Sequence, residues 1–261
     1  MNATVQAGGA PVAQGRAQGG ALADVIRGEV ARLDASLPWL ARRALQRRVR
    51  AGSARSLETQ LPWQRERIEG MAHAARASES GLLFAEAQTR VAGAAFLDGA
   101  LLSAVFDLPR ELESLLVLRR SAPDAGGFAS AELTLAPLAG CLCGVNSEGI
   151  AVIATRDVSR DELSLRFHAQ ELLFRARDLA AGIDHVRRRA AYAGGTGTLV
   201  VADARGEARV LELVGGKLAV RDASELPRVA RARRVALDAK SRRLTLFTVD
   251  GAHQSSQLEP V

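Results

Sequence analysis

Between Gly144 and Thr155 the chain reads Gly-Val-Asn-Ser-Glu-Gly-Ile-Ala-Val-Ile-Ala-Thr, a polar turn that runs straight into an apolar, β-branched segment. Asn and Gly tolerate positive φ, so Asn146 to Gly149 reads as a tight hairpin turn. Ile150 to Thr155 then reads as a buried strand. Such a hairpin belongs in a sheet. The two-residue period of a strand places Cys141 and Cys143 on one face of it.

Strand and turn signals continue upstream. Leu82 to Ala87, Thr89 to Phe96, Leu101 to Phe106, Leu115 to Arg119 and Glu132 to Leu135 read as strands, with Asp98-Gly99 a strong hairpin turn. Downstream come two helices. Asp161 to Ala180 carries an apolar stripe with Gly182 as its stop, and Ile183 to Tyr192 is strongly basic. Thr198 to Ala202 pairs with Ala208 to Val214 across Asp203 to Gly206. Lys217 to Val220 and a last hairpin, Val235 to Leu237 with Leu244 to Val249, complete the pattern. Strands, a helix pair and strands again predict an α+β fold with antiparallel sheets.

The N-terminal part differs. Residues 1–20 are rich in Ala, Gly and Gln and read as a disordered tail. Residues 21–56 read as a basic helical segment. Leu22, Val25, Ile26, Val30 and Leu33 form a stripe, Pro38 interrupts it, and Arg42, Arg43, Arg47, Arg48 and Arg50 follow before Gly52 and Ser53. That basic face suits a solvated surface, or an acidic or phosphate-bearing partner. A domain spanning residues 57–261 is expected to start with the helix from Leu57 to Ala77.

Composition narrows the function classes. Of 35 basic residues only Lys217 and Lys240 are lysine, which reads as a coding bias rather than a nucleic-acid surface. Aromatics are 4%, too few for stacking platforms along a single strand, so nucleic acid is not the expected partner. No apolar run reaches the 18 residues or so that a membrane span needs, and no signal-peptide core precedes the helices. A cytoplasmic protein without a membrane partner is expected. His73 has no second His, Cys or acidic cluster at metal-ligand spacing, His168 and His185 read as structural or exposed helix residues, and Cys141-Leu142-Cys143 lacks further thiols or imidazoles, so no metal or cofactor is expected.

The order of these pieces resembles the acyl-coenzyme A:6-aminopenicillanate acyltransferase-like group, the C45 peptidases of the N-terminal nucleophile hydrolases. Arg67-Ile68-Glu69-Gly70-Met71-Ala72 is similar to its early helix motif. Gly144 to Val152 is similar to its central turn and strand, with Ser147 where the family favours Glu. Ala202-Asp203-Ala204-Arg205-Gly206 to Glu212 is similar to its late hairpin. The resemblance covers roughly residues 58–250 and implies a four-layer αββα sandwich.

It also implies a site. Asp107 stands where a Gly-Arg-Asn-Xaa-Asp motif ends, with Ala104 and Val105 replacing its Arg and Asn. The family's offset back from Asp107 places the nucleophilic cysteine at Gln88, followed by Thr89 where the family has Thr. In that family the cysteine, freed as a new N-terminus, uses its own amino group as base. Asn146 would form the pocket floor. A carboxamide cannot attack an acyl carbon, so the leading reading is a non-catalytic or strongly diverged homologue that keeps the fold and binds a ligand, such as a small acyl or amide molecule, or a partner, or serves a structural role. A second reading is an active amide hydrolase or acyltransferase using Thr89, Cys141 or Cys143. A third is an unrelated α+β domain binding an anionic ligand. Thr89, Asp107 and Asn146 are the candidate site residues.

Overall fold

The computed structural model describes residues 3–49, 52, 54–124, 126–157, 163–193, 196–224, 226, 235–247 and 253–258. Arg50, Ser53, the Asp161 start of an expected helix and residues 248–249 of the last expected strand lie outside them. The elements run β1 (Ala3–Gly8), α1 (Pro11–Ala21), α2 (Ala23–Ala35), α3 (Trp39–Val49), α4 (Arg55–Gln60), α5 (Pro62–Ala75), α6 (Glu79–Gln88), β2 (Val91–Asp98) and β3 (Leu101–Asp107). They continue with α7 (Arg110–Glu113), β4 (Leu116–Ala122), β5 (Ser130–Leu135), β6 (Cys143–Asn146), β7 (Ala151–Asp157), α8 (Leu165–Arg175) and α9 (Leu179–Ala193). The remaining strands are β8 (Gly197–Ala202), β9 (Ala208–Val214), β10 (Lys217–Asp222), β11 (Val235–Asp238), β12 (Arg243–Phe247) and β13 (His253–Gln257).

The expected α+β class holds, built on one mixed sheet that branches at β7. One edge of β7 pairs with β8 along its length, and β8 leads on to β9 and β10. The other edge is shared. Its first half pairs with β6, at Val145 to Ala151 and Cys143 to Ile153. Its last two residues pair with β2, at Val91 to Asp157. One limb then runs β6-β5-β4-β1 and the other β2-β3-β11-β12-β13. All pairs are antiparallel except β1 with β4. The sheet curls until its end strands approach, where the Gln254 amide donates to Thr4 Oγ1 at 2.5 Å.

Each limb turns one face inward. Leu102, Ala104 and Phe106 of β3, Leu133 and Leu135 of β5, Val145, Ile153, Val235, Leu237, Leu244 and Leu246 share one apolar core between the limbs. Full burial of each such side chain contributes roughly 1.5–3 kcal/mol. A second cluster lies between α8, α9 and the other face of β7, β8 and β9. A third packs α1, α2, α4, α5 and α6 against β1 and β4.

Several sequence expectations are corrected here. Residues 3–21 are not a tail: β1 adds to β4, and α1 lies against α5 with Gln14, Gly15, Gln18 and Gly19 buried. Small residues permit this approach. A Cβ at Gly15 would meet Arg67 O at 2.0 Å, and one at Gly70 would meet Val12 O at 2.1 Å. The stretch from Leu82 to Ala87 is helix, not strand. Ser78 caps α6 by accepting from Gly81 N at 3.0 Å, and Gly81 to Glu86 are all buried, so a helix buried on every side showed no helical period. Gly182 lies inside α9 rather than ending a helix. Its Cβ would come within 2.9 Å of Leu172 Cδ2, so the glycine serves close packing of α8 on α9.

No helix among the described residues is long and apolar enough to cross a membrane. The glycine contact between α1 and α5 is testable by urea denaturation. Gly70→Ala should cost about 1–3 kcal/mol of stability, because backbone on both sides cannot yield. Gly20→Ala, with nothing within 4 Å of the added Cβ, should be neutral or stabilising by up to about 1 kcal/mol. Equal stability of both variants would show that α1 does not seat on α5.

Candidate functional site

The Asp98-Gly99 turn closes β2 on β3, pairing Asp98 with Leu101 at the tip and Ala92 with Asp107 at the base. Gln88, Thr89 and Asp107 therefore gather at the open end of one hairpin. Gln88 and Asp107 are exposed and Thr89 is half-buried. Thr89 is also the C-terminal residue of the α6 turn. Its N–H donates to Ala85 O at 3.0 Å, and its hydroxyl donates to the same carbonyl at 2.8 Å.

A buried guanidinium fixes that end of α6. Arg166, near the start of α8, donates from Nη1 to Thr89 O at 2.9 Å and from Nη2 to Glu86 O. Its Nε lies 3.2 Å from Glu86 Oε2 and its Nη1 3.1 Å from Asp157 Oδ2. Glu86 Oε1 in turn accepts from Gly140 N at 2.9 Å. Beside this anchored end opens a cleft of about 420 Å³, lined by Gln88, Thr89 and Arg90, by Pro109, Glu111 and Leu112, and by Glu29, Arg32 and Leu33 of α2.

Asn146 is not part of it. It lies near the Ala151 end of β7, whereas Thr89 lies near the Asp157 end, about 20 Å away at about 3.3 Å per residue. Its side chain is fully committed. Nδ2 donates to Leu173 O at 3.1 Å and Ala176 O at 2.8 Å, and Oδ1 accepts from Ile150 N at 2.8 Å and Glu148 N at 3.1 Å. Those four bonds exhaust a carboxamide's useful capacity. Asn146 is a staple between the turn and the C-terminal end of α8.

The cysteines are also placed differently from the expectation. Cys143 faces the core between the sheet limbs, and Cys141 faces α8. They do not share a face because β6 begins only at Cys143, so the strand period does not extend back to Cys141. Both are free and fully buried. Burial pushes both thiols above their ordinary range, for Cys141 with the nearby Glu132 carboxylate adding to it. A thiol held protonated is a poor nucleophile.

A second group of chemistry-bearing side chains was not singled out in the sequence. Glu171, fully buried on α8, accepts from Trp63 Nε1 and lies 2.9 Å from His185 Nε2 and 3.3 Å from Arg175 Nε. His185 and Arg175 line a cleft of about 580 Å³ with Gly126, Gly127, Phe128, Ala181 and Arg188. Trp63 stacks on Phe174 at 4.4 Å beneath it. No local signal joins Glu171 to His185, since the pairing depends on how α8 crosses α9. His73 borders a separate surface cleft with Glu69 and Glu79. Among the described residues no group of three or more His, Cys, Asp or Glu side chains could hold a metal ion.

No protein-family model matches this chain, and no curated protein matches it either.

Two measurements check these assignments. Asn146→Ala should cost about 3 kcal/mol or more in chemical denaturation, because two carbonyls and two N–H groups lose their partner in a buried site; a pocket-floor residue facing open solvent would cost far less. A thiol reagent should modify Cys141 and Cys143 only at the rate of unfolding, and fast native-state labelling would place a thiol at an accessible site.

Proposed function

We propose that this protein is a strongly diverged acyltransferase-like homologue of the N-terminal nucleophile type, lacking acyl-transfer chemistry and acting by binding a small acyl or amide ligand. The order of elements supports the reading: α5, then the β2–β3 hairpin, the Asn146 turn, the α8–α9 pair and the β8–β9 hairpin. Two sheet limbs packed around one core, with helices against the outer face of one limb, supply three of the four layers that the resemblance implies.

The observation that carries the proposal is the state of the chain at Gln88 and Thr89. The resemblance requires a nucleophile at the start of a strand, freed by cleavage. Here a carboxamide stands in that place, and the Thr89 hydroxyl is bonded to Ala85 O at the end of a helix that Arg166 clamps. Thr89 could serve as nucleophile only after that turn unwound, at the cost of a buried ion-pair network. Burial of Cys141 and Cys143 weighs against them as substitutes.

What remains at that place is a receptor. Leu33, Leu112 and Pro109 give the cleft an apolar side, and Gln88, Arg32, Arg90, Glu29 and Glu111 give it polar groups. Apolar walls with a few placed polar groups suit a short acyl chain carrying an amide or carboxylate head.

Intact mass and covalent labelling test this. The purified chain should keep its full mass, and an electrophilic acyl probe should leave it unlabelled. Loss of residues 1–88, or labelling that Thr89→Ala abolishes, would restore the enzyme reading and sink this one.

A further inference from the structure

Helix α3 carries an outward face that the fold does not use. Trp39 is 58% exposed and Leu40 71% exposed, adjacent at its first turn. Arg43 and Arg47 are exposed too. At about 100° per residue, Trp39, Arg43, Arg47 and Leu40 fall within a single arc of about 100°. The Arg43 guanidinium sits 5.5 Å over the Trp39 ring. The flank beside Trp39 is tied down: Arg42 Nη1 donates to Asp34 O at 3.1 Å and Gln46 Nε2 to Asp34 Oδ1 at 3.0 Å. The segment Trp39 to Val49 contains four arginines and no acidic residue.

This combination is costly unless something covers it. Two large apolar side chains stand in water beside cations that no carboxylate on their own helix neutralises. A nucleic acid would take the arginines but offer Leu40 no apolar partner. A lipid surface satisfies both, because the headgroup boundary accepts Trp and Leu on its apolar side and pairs arginine with phosphate.

We propose that α3 docks this protein reversibly on anionic phospholipid surfaces, lying in the plane of the interface with Trp39 and Leu40 inserted and Arg43 and Arg47 on lipid phosphates. The helix is about 16 Å long, so the contact is peripheral and needs its charge as well as its apolar residues. The inference does not depend on the ligand assigned to the Gln88 cleft.

Vesicle flotation of the full chain tests it, using phosphatidylcholine with and without phosphatidylglycerol. The protein should float only with the anionic vesicles, and less as salt is raised. Trp39→Ala with Leu40→Ala, and separately Arg43→Glu with Arg47→Glu, should each weaken binding by at least about tenfold. Both pairs are exposed, so the thermal midpoint should stay at the parent value and separate lost binding from lost fold. Absence of binding to anionic vesicles overturns the proposal. So does binding indifferent to either double substitution. Retention on single-stranded RNA that only the arginine pair controls, without flotation, would assign the face to nucleic acid instead.

Discussion

The Arg119–Glu132 pair is the contact on which the helical side of this fold depends. The two residues lie directly opposite each other on β4 and β5, and both are fully buried. Removing two charges from water costs several kcal/mol per ion, so the pair persists only with good geometry and saturated hydrogen bonding. Both conditions are met. Arg119 Nε donates to Glu132 Oε2 at 2.7 Å, Nη1 to Gln18 Oε1 at 2.6 Å, and Nη2 to Ala139 O at 2.9 Å. Gln170 of α8 donates to Glu132 Oε1 at 2.6 Å. Burial alone would raise the Glu132 carboxyl, but Arg119 and then Arg67 hold it below its ordinary value. One ion pair thus joins two strands, α1 and α8. This helps to hold α1 against the sheet: Gln18 is a partner of a buried charge.

Arg67 and Arg166 extend the same logic. Arg67 lies fully buried on α5, donating to Ser121 Oγ at 3.3 Å. Burial, with Arg119 nearby, pushes its guanidinium down to about 9, which still leaves it charged at neutral pH. Arg166 ties the end of α6 to α8 and to the last residue of β7. Among the described residues the three largest fully buried side chains are these arginines. Read from the pattern of the basic helix, arginine suggested a solvated or partner-facing surface, and Arg43 and Arg47 of α3 are exposed. For the sheet face that reading does not hold. A guanidinium presents five donors in a rigid fork, so one residue can bind carbonyls and carboxylates from several elements at once.

Legibility followed the range of the interaction. The hairpins at Asp98-Gly99, Asn146 to Gly149 and Asp203 to Gly206 were readable, because turn chemistry is written in adjacent residues. Gly149 and Gly206 indeed adopt φ of +82° and +85°. Strand β5 shows where local pattern fails. Ser130, Glu132 and Thr134 alternate with Ala131, Leu133 and Leu135, a pattern that normally means one wet face, yet all six are buried. The polar face meets helices, and only tertiary partners reveal that. The same cause hid α1, whose glycines signal flexibility in isolation and close packing beside Gly70. It also hid the Glu171–His185 contact, which joins two helices.

Motif resemblance has a similar boundary. Turn and hairpin motifs can persist for reasons internal to a fold, and Asn146 illustrates this. Each of its four hydrogen bonds goes to the turn or to α8, so selection for the fold alone accounts for the residue. Gly70 is likewise explained by Val12 lying against it. At the positions where the resemblance would place reactive groups, Gln88 is an exposed carboxamide and Ala104 lies in the core, paired across the strands with Val235 and Ala95. The cleft beside Gln88 is lined on one side by α2, and α1, which leads into it, is held by the contact of Gln18 with the buried Arg119. The wall that α2 gives the cleft therefore depends in part, through α1, on the same ion pair.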